Sequence, residues 1–215
     1  MKAIARLCLP LALMLAIALP ALAASGADQA DKVAQKMLDF DKALGQASAQ
    51  IDATLTTMNS MNGASGSDLS SKYKDFGKQV KKLEDMSNKA KAQAQKSNEQ
   101  RDEYLKEWQA SQANIQNEQL KAASEARRNE LMPKIEAIKN SLGAARDAFT
   151  PFMQDLKDLN TYFANNLTPQ GMTGASDLMG KVSGAGNTVK ENIAKGQDAI
   201  KDLAASISPK AAPQK

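Results

Sequence analysis

The apolar residues between Leu131 and Phe163 recur at Leu131, Ile135, Ile138, Leu142, Ala145, Phe149, Phe152, Leu156, Leu159 and Phe163, an unbroken alternation of steps of four and three. A period averaging about three and a half residues belongs to a helix that supercoils against partners and buries one narrow seam. Glu136, Lys139, Arg146, Asp155, Lys157 and Asp158 stand between the seam positions and suit a solvated outer face. The stretch therefore predicts a long helix in a coiled-coil bundle.

The same rhythm predicts three more helices. The first, from Gln29 to Met61, carries Val33, Met37, Phe40, Leu44, Ala47, Ile51, Leu55 and Met58. Asp28 or Ser25 suits its cap, and Asn62-Gly63 supplies a left-handed stop. The second, from about Asp68 to Ala113 with Ser67 or Asp68 as cap, carries Leu69, Tyr73, Phe76, Val80 and Leu83. Its seam then weakens to Ser87, Ala90, Ala94, Ser97 and Arg101 before Tyr104 and Trp108, and small residues bury little area. Asn117 reads as the cap of the organising helix, Glu118 to Asn165, in which Pro133 and Pro151 should kink or briefly break the backbone ladder. Thr168-Pro169 opens the fourth helix, 169–207, with Leu178, Val182, Ala185, Val189, Ile193, Ile200, Leu203 and Ile207 in its seam. Gly180, Gly184, Gly186 and Gly196 interrupt it and make it the weakest helix by propensity. Residues 208–215 read as a flexible tail.

Lengths turn these elements into an all-α architecture. At 1.5 Å per residue, helices two and three are each about 70 Å long. Folded as an antiparallel hairpin, they place Tyr73 near Leu159 and Val80 near Phe152. Helix one folds back only as far as Ser97, and helix four as far as Leu131. The expected fold is an elongated antiparallel four-helix bundle whose two longer central helices project, over Asn98 to Glu130, as a two-helix arm of about 25 Å.

Ahead of the bundle, Met1 to Ala23 reads as a cleaved signal peptide: Lys2 and Arg6, an apolar run from Leu7, and the small-x-small site Ala21-Leu22-Ala23. The mature domain, 24–207 plus the tail, then starts at Ala24 or Ser25 and is expected to be exported to the periplasm. A retained signal anchor is the alternative, disfavoured by the short run and by Pro10 and Pro20. Cys8 lies too near the start to be a lipoprotein cysteine, so no lipid anchor is expected.

Loss of that segment removes the chain's one cysteine, and the sequence has no histidine. Stability must come from packing, and acid/base, nucleophilic and metal chemistry lose their usual side chains. No catalytic, cofactor-binding or metal site is expected. Glu99, Asp102, Glu103 and Glu107 offer carboxylate oxygens to a hard cation, but also pair with Lys96, Arg101 and Lys106 as an ordinary solvated face. Gly174 to Lys181 has the wrong glycine spacing for a phosphate loop, and Val182 stands where Ser or Thr would hold magnesium. Gly180-x-x-x-Gly184 allows either a close helix contact or local flexibility. Net charge falls from +4 to +2 on loss of Lys2 and Arg6, too balanced for nucleic-acid binding.

Two groups remain as candidate contact sites. Tyr104 and Trp108 lie on the arm opposite Ala-rich and polar positions, where aromatics serve as interface anchors, although both also hold seam register. Lys72, Lys74, Lys78, Lys81 and Lys82 form the densest basic group and suit an anionic surface such as lipid headgroups, or a solvated coiled-coil flank.

Lys72-Tyr73-x-x-Phe76, Lys89-Ala90-Lys91, Asp102-Glu103-Tyr104-x-x-Glu107-Trp108, Arg127-Arg128, Ala148-Phe149-x-Pro151-Phe152, Asp155-Leu156-Lys157-Asp158-Leu159-x-x-Tyr162 and Asn166-Leu167-Thr168-Pro169 carry a resemblance. Over about Lys32 to Ile200 the chain resembles a bacterial family of exported long-helix proteins catalogued only as a domain of unknown function. The resemblance implies an exported helical protein, often a lipoprotein among relatives, with no assigned activity or catalytic residues. This sequence departs in lacking the lipoprotein cysteine, and in Pro133, which should interrupt a helix continuous in relatives.

The function expected from these readings is a non-enzymatic interaction or scaffold protein meeting another envelope protein or a second copy of itself. The alternatives are peripheral association with an anionic membrane surface through the lysine group, and a holdase-type chaperone gripping clients between helical arms.

Overall fold

A computed structural model of the chain describes residues 27–112 and 114–208, with side chains at 31, 33–90 and 114–208. Met1 to Ala23, expected to be a signal peptide, and the expected tail beyond Ser208 lie outside these residues. Four helices, α1 (Ala27–Ser60), α2 (Gly66–Gln112), α3 (Glu118–Asn165) and α4 (Pro169–Ile207), account for nearly all of them, and no strand occurs among them.

Local chemistry sets the helix ends. Asn117 is extended and its side-chain oxygen accepts from the Leu120 amide at 3.0 Å, capping α3. Thr168 does the same for α4, accepting from the Gly171 amide at 3.0 Å, with Pro169 in the first turn where its missing N–H costs nothing. Between α1 and α2, Gly63 and Gly66 have φ of 74° and 54°, a left-handed backbone that L side chains avoid. α2 begins at Gly66 rather than after a Ser67 or Asp68 cap. Asp68 lies in its first turn, where a carboxylate favours the helix dipole, and pairs with Lys72 at 2.9 Å.

α3 runs unbroken through both prolines, against the expectation of an interruption at Pro133. Pro133 and Pro151 are exposed, as are Asn129 and Asp147, the residues four before them. The carbonyls freed by the missing N–H groups therefore open to water on the outer face, where a long helix tolerates a lost bond.

All ten predicted seam residues of α3, Leu131 to Phe163, are buried. α1 contributes Val33, Met37, Leu44, Ile51, Leu55 and Met58, with Phe40 and Ala47 half-buried at the margin. α2 contributes Leu69, Phe76, Val80 and Leu83. The seam of α4 corrects the sequence reading. Its buried residues are Met172, Ala175, Met179, Val182, Gly186, Val189, Ile193, Gly196, Ile200, Leu203 and Ile207, an unbroken three–four rhythm. Gly186 and Gly196 are thus seam positions, not interruptions, and Leu178 and Ala185 lie half-buried at the edge.

Those glycines let α4 come close to its neighbours. A Cβ at Gly186 would stand 2.9 Å from Leu55 Cδ1 and 3.0 Å from Phe152 Cε2, and one at Gly196 would stand 2.6 Å from Leu142 Cδ2. Gly180 and Gly184, by contrast, are exposed with open space above them, so that pair makes no close helix contact.

Polar ties fix an antiparallel square. Gln50 bonds Gln79 across α1 and α2, and Tyr73 Oη donates to the Asn160 carbonyl across α2 and α3 at 3.1 Å, one residue from the expected Leu159. Lys181 pairs with Asp155 and Lys134 with Asp202 across α3 and α4. Gln197 donates to the Asp41 carboxylate at 2.8 Å across α4 and α1. Of the four sides of the square, α3 against α4 packs most extensively and α3 against α2 least.

At one end of the square, Ser208 hydrogen-bonds Asp31 and the Arg127 guanidinium donates to the Ser206 carbonyl. α4 therefore reaches Arg127, a turn beyond the expected Leu131. Residues 118–126 of α3 run past it, about 13 Å at 1.5 Å per residue, roughly half the arm length expected. Leu131 is the first buried residue of α3, and the residues before it are exposed apart from the half-buried Ser124 and Arg127.

Candidate interaction surfaces

The five lysines of α2 do not form one patch. With about 100° per residue, Lys74, Lys78 and Lys81 fall within about 60° of arc, on the side of the helix opposite Phe76 and Leu83. Lys82 flanks this stripe. Lys72 stands about 120° round from Lys78, beside the core, and is half-buried against Asp68. Lys78 pairs with Asp75 at 2.9 Å. Lys74, Lys81 and Lys82 are exposed and make no ion pair among the described residues. Glu84, on the same helix, turns toward α3 and pairs with Lys157. The stripe is therefore a narrow basic line with one carboxylate, Asp75, at its edge and another, Asp85, in line with it a turn beyond Lys81.

Tyr104 and Trp108 lie on the helical course of α2, but their side chains fall outside the described residues, as do those of Glu99, Asp102, Glu103 and Glu107. The facing helix is described. From Glu118 to Glu130 it holds no fully buried residue, and Leu120 is 64% exposed, the most exposed large apolar side chain described. Such a surface leaves an apolar residue available to a partner.

A polar layer that the seam arithmetic could not reveal sits between α1 and α2. Gln50 is 4% exposed and Thr54 fully buried. Gln50 Nε2 donates to Gln79 Oε1 at 2.8 Å, while Thr54 Oγ1 donates back to the Gln50 carbonyl at 2.8 Å. A buried amide pair of this kind tolerates only one register of α2 on α1, since a slip leaves its polar atoms unpaired. In the sequence, Gln50 and Thr54 flank seam residue Ile51 at positions that look solvent-facing.

Gly174 to Lys181 lies wholly within α4 and forms no phosphate-cradling loop. Among the described residues no group of three carboxylates is placed to hold a metal ion, and no helix is long and apolar enough to cross a membrane.

A four-helix antiparallel bundle with its apolar seams turned inward defines a helical-bundle protein. The chain belongs to the family described as protein of unknown function DUF2959, whose model matches residues 20–208. No curated protein and no solved structure matches it.

Proposed function

We propose that this is an exported, periplasmic interaction or scaffold protein without catalytic activity, whose contact region is the arm carrying Tyr104 and Trp108. The observation that carries the reading is the mismatch in helix length. α2 and α3 have 47 and 48 residues against 34 in α1 and 39 in α4. The uncovered start of α3, with Leu120 outward, lies beside a helix bearing two aromatic residues, and aromatic anchors dominate interface energetics. The leader-like Met1 to Ala23 supports export.

Sedimentation velocity on the chain from Ser25 onward, over a range of concentrations, tests this. A concentration-dependent dimer that the Tyr104→Ala, Trp108→Ala double variant weakens at least about ten-fold, with helicity intact, is the result expected of self-association through the arm. A monomer at every concentration directs the search to a foreign envelope partner. Loss of helicity in the variant makes the two aromatics core residues and removes the site.

A second reading rests on the stripe of Lys74, Lys78 and Lys81. Parallel exposed ammonium groups suit peripheral contact with an anionic membrane surface, at about 1 kcal/mol per lysine near the surface. Co-sedimentation with phosphatidylserine-containing vesicles should then fall steeply between low and physiological salt. The Lys74→Gln, Lys78→Gln, Lys81→Gln variant should lose it, and Lys72→Gln should not. Binding that ignores salt, or its absence at low salt, defeats this reading.

A further inference from the structure

The four helices do not hold together equally. We infer that the first half of α2, residues 66–90, is a strap that undocks as a unit from a body formed by α1, α3 and α4. At Gly186 of α4, Leu55 of α1 and Phe152 of α3 approach the same backbone point. Three helices thus converge without α2, which closes the fourth side.

The strap is held by little. Its fully buried apolar side chains are Leu69, Phe76, Val80 and Leu83, and its packing on α3 is the sparsest of the four sides. Its ties are Gln79 to Gln50, Tyr73 Oη to the Asn160 carbonyl, and the half-exposed pair Glu84–Lys157, which solvent screens. Segments with few buried apolar contacts open at lower free energy than the global fold.

Docking also carries a specific penalty. Asn160 Oδ1 is buried beneath the strap with no hydrogen-bond donor, and a Cβ at Gly77 of α2 would lie 3.3 Å from it. A buried acceptor without a donor forfeits its hydration, and lifting the strap returns it to water. The backbone hinge stands at the start of the strap, and the helix itself runs on unbroken past its end. Gly63 and Gly66 hold a left-handed backbone with open space around them. At the far end the apolar seam gives way to half-buried Ser87 and Ala90.

Native-state hydrogen exchange with mass spectrometry, on the chain from Ser25 onward, tests the strap. Peptides within 69–85 should exchange through one common opening at least about ten-fold faster than peptides within 138–152 and 182–200. Equal protection in all four helices overturns the inference. So does protection that rises smoothly from residue 66 inward, the signature of end fraying. Asn160→Ala, which removes the stranded acceptor but keeps the carbonyl that Tyr73 uses, should slow exchange in 69–85 about three-fold or more and leave 182–200 unchanged. An unchanged rate in 69–85, or a uniform change across the bundle, overturns the stored-penalty argument and the strap with it.

Discussion

Phe152→Ala should destabilise the bundle by about 3–5 kcal/mol, the cost of emptying a fully buried aromatic site. At about 2–4 °C per kcal/mol for a chain of this size, the melting temperature should fall by about 6–20 °C. Phe152 has no exposed surface, meets Phe149 edge-on at 5.9 Å between ring centroids, and lays its ring against the bare backbone of Gly186. A large residue on α3 and an absent one on α4 thus form a single packing unit. Urea unfolding followed by helical circular dichroism reads the loss, and a double-mutant cycle with Gly186→Ala reads the unit. Alone, Gly186→Ala sets about 1 kcal/mol of gained helix propensity against crowding of Leu55 and Phe152. With Phe152 already truncated, half of that crowding disappears, so the two changes should couple by about 0.5–3 kcal/mol. Strict additivity would mean that ring and glycine do not share the site.

Gly171→Ala should cost about 2–4 kcal/mol by a different route, adding backbone strain to a lost cap. A Cβ there would stand 1.9 Å from the Asn166 carbonyl oxygen, and backbone cannot rotate aside as a side chain does. The turn between α3 and α4 would have to open. That breaks the Thr168 N–H bond to Asn166 O at 2.9 Å and the cap in which the Gly171 amide donates to Thr168 Oγ1. Gly180→Ala, nine residues further along the same helix and in open space, should instead stabilise by about 0.5–1 kcal/mol. Thermal unfolding of the two variants side by side separates the tight turn from general helix propensity. A Gly171→Ala protein as stable as the parent would place that turn in a different geometry.

The contrast between α3 and α4 explains how much of this fold the sequence makes legible. In α3 every seam position is a large apolar residue or Ala145, so a hydrophobic count finds all of them and fixes the period at once. In α4 the same period passes through Ala175, Gly186 and Gly196, residues whose contribution is the space they leave. Hydropathy counts them as gaps. Met172 and Met179 escape for a different reason: a seam begun at Leu178 runs one residue out of register with Met179 and leaves the first turns of α4 uncounted. The polar layer of Gln50 and Thr54 was illegible since no periodicity marks a buried amide. Among candidate contact residues, density along the chain grouped Lys72 with Lys74, Lys78, Lys81 and Lys82, whereas angular position separates it from them. The length mismatch behind the arm was readable from the caps, but its extent depended on where α4 ends, which only the contact of Arg127 with Ser206 fixes.

That end of the bundle also orients the whole molecule. Asp31 near the start of α1 and Ser208 just past α4 are hydrogen-bonded to each other, beside Arg127. Both ends of the folded chain therefore leave the square on the side from which α2 and α3 continue, and the turns at 61–65 and 166–168 crown the opposite side. A chain held at either terminus would keep its arm next to whatever holds it and turn the two crown loops outward. A partner bound at the arm would then sit between the bundle and its point of attachment, so tether length, more than affinity, would decide whether that partner fits.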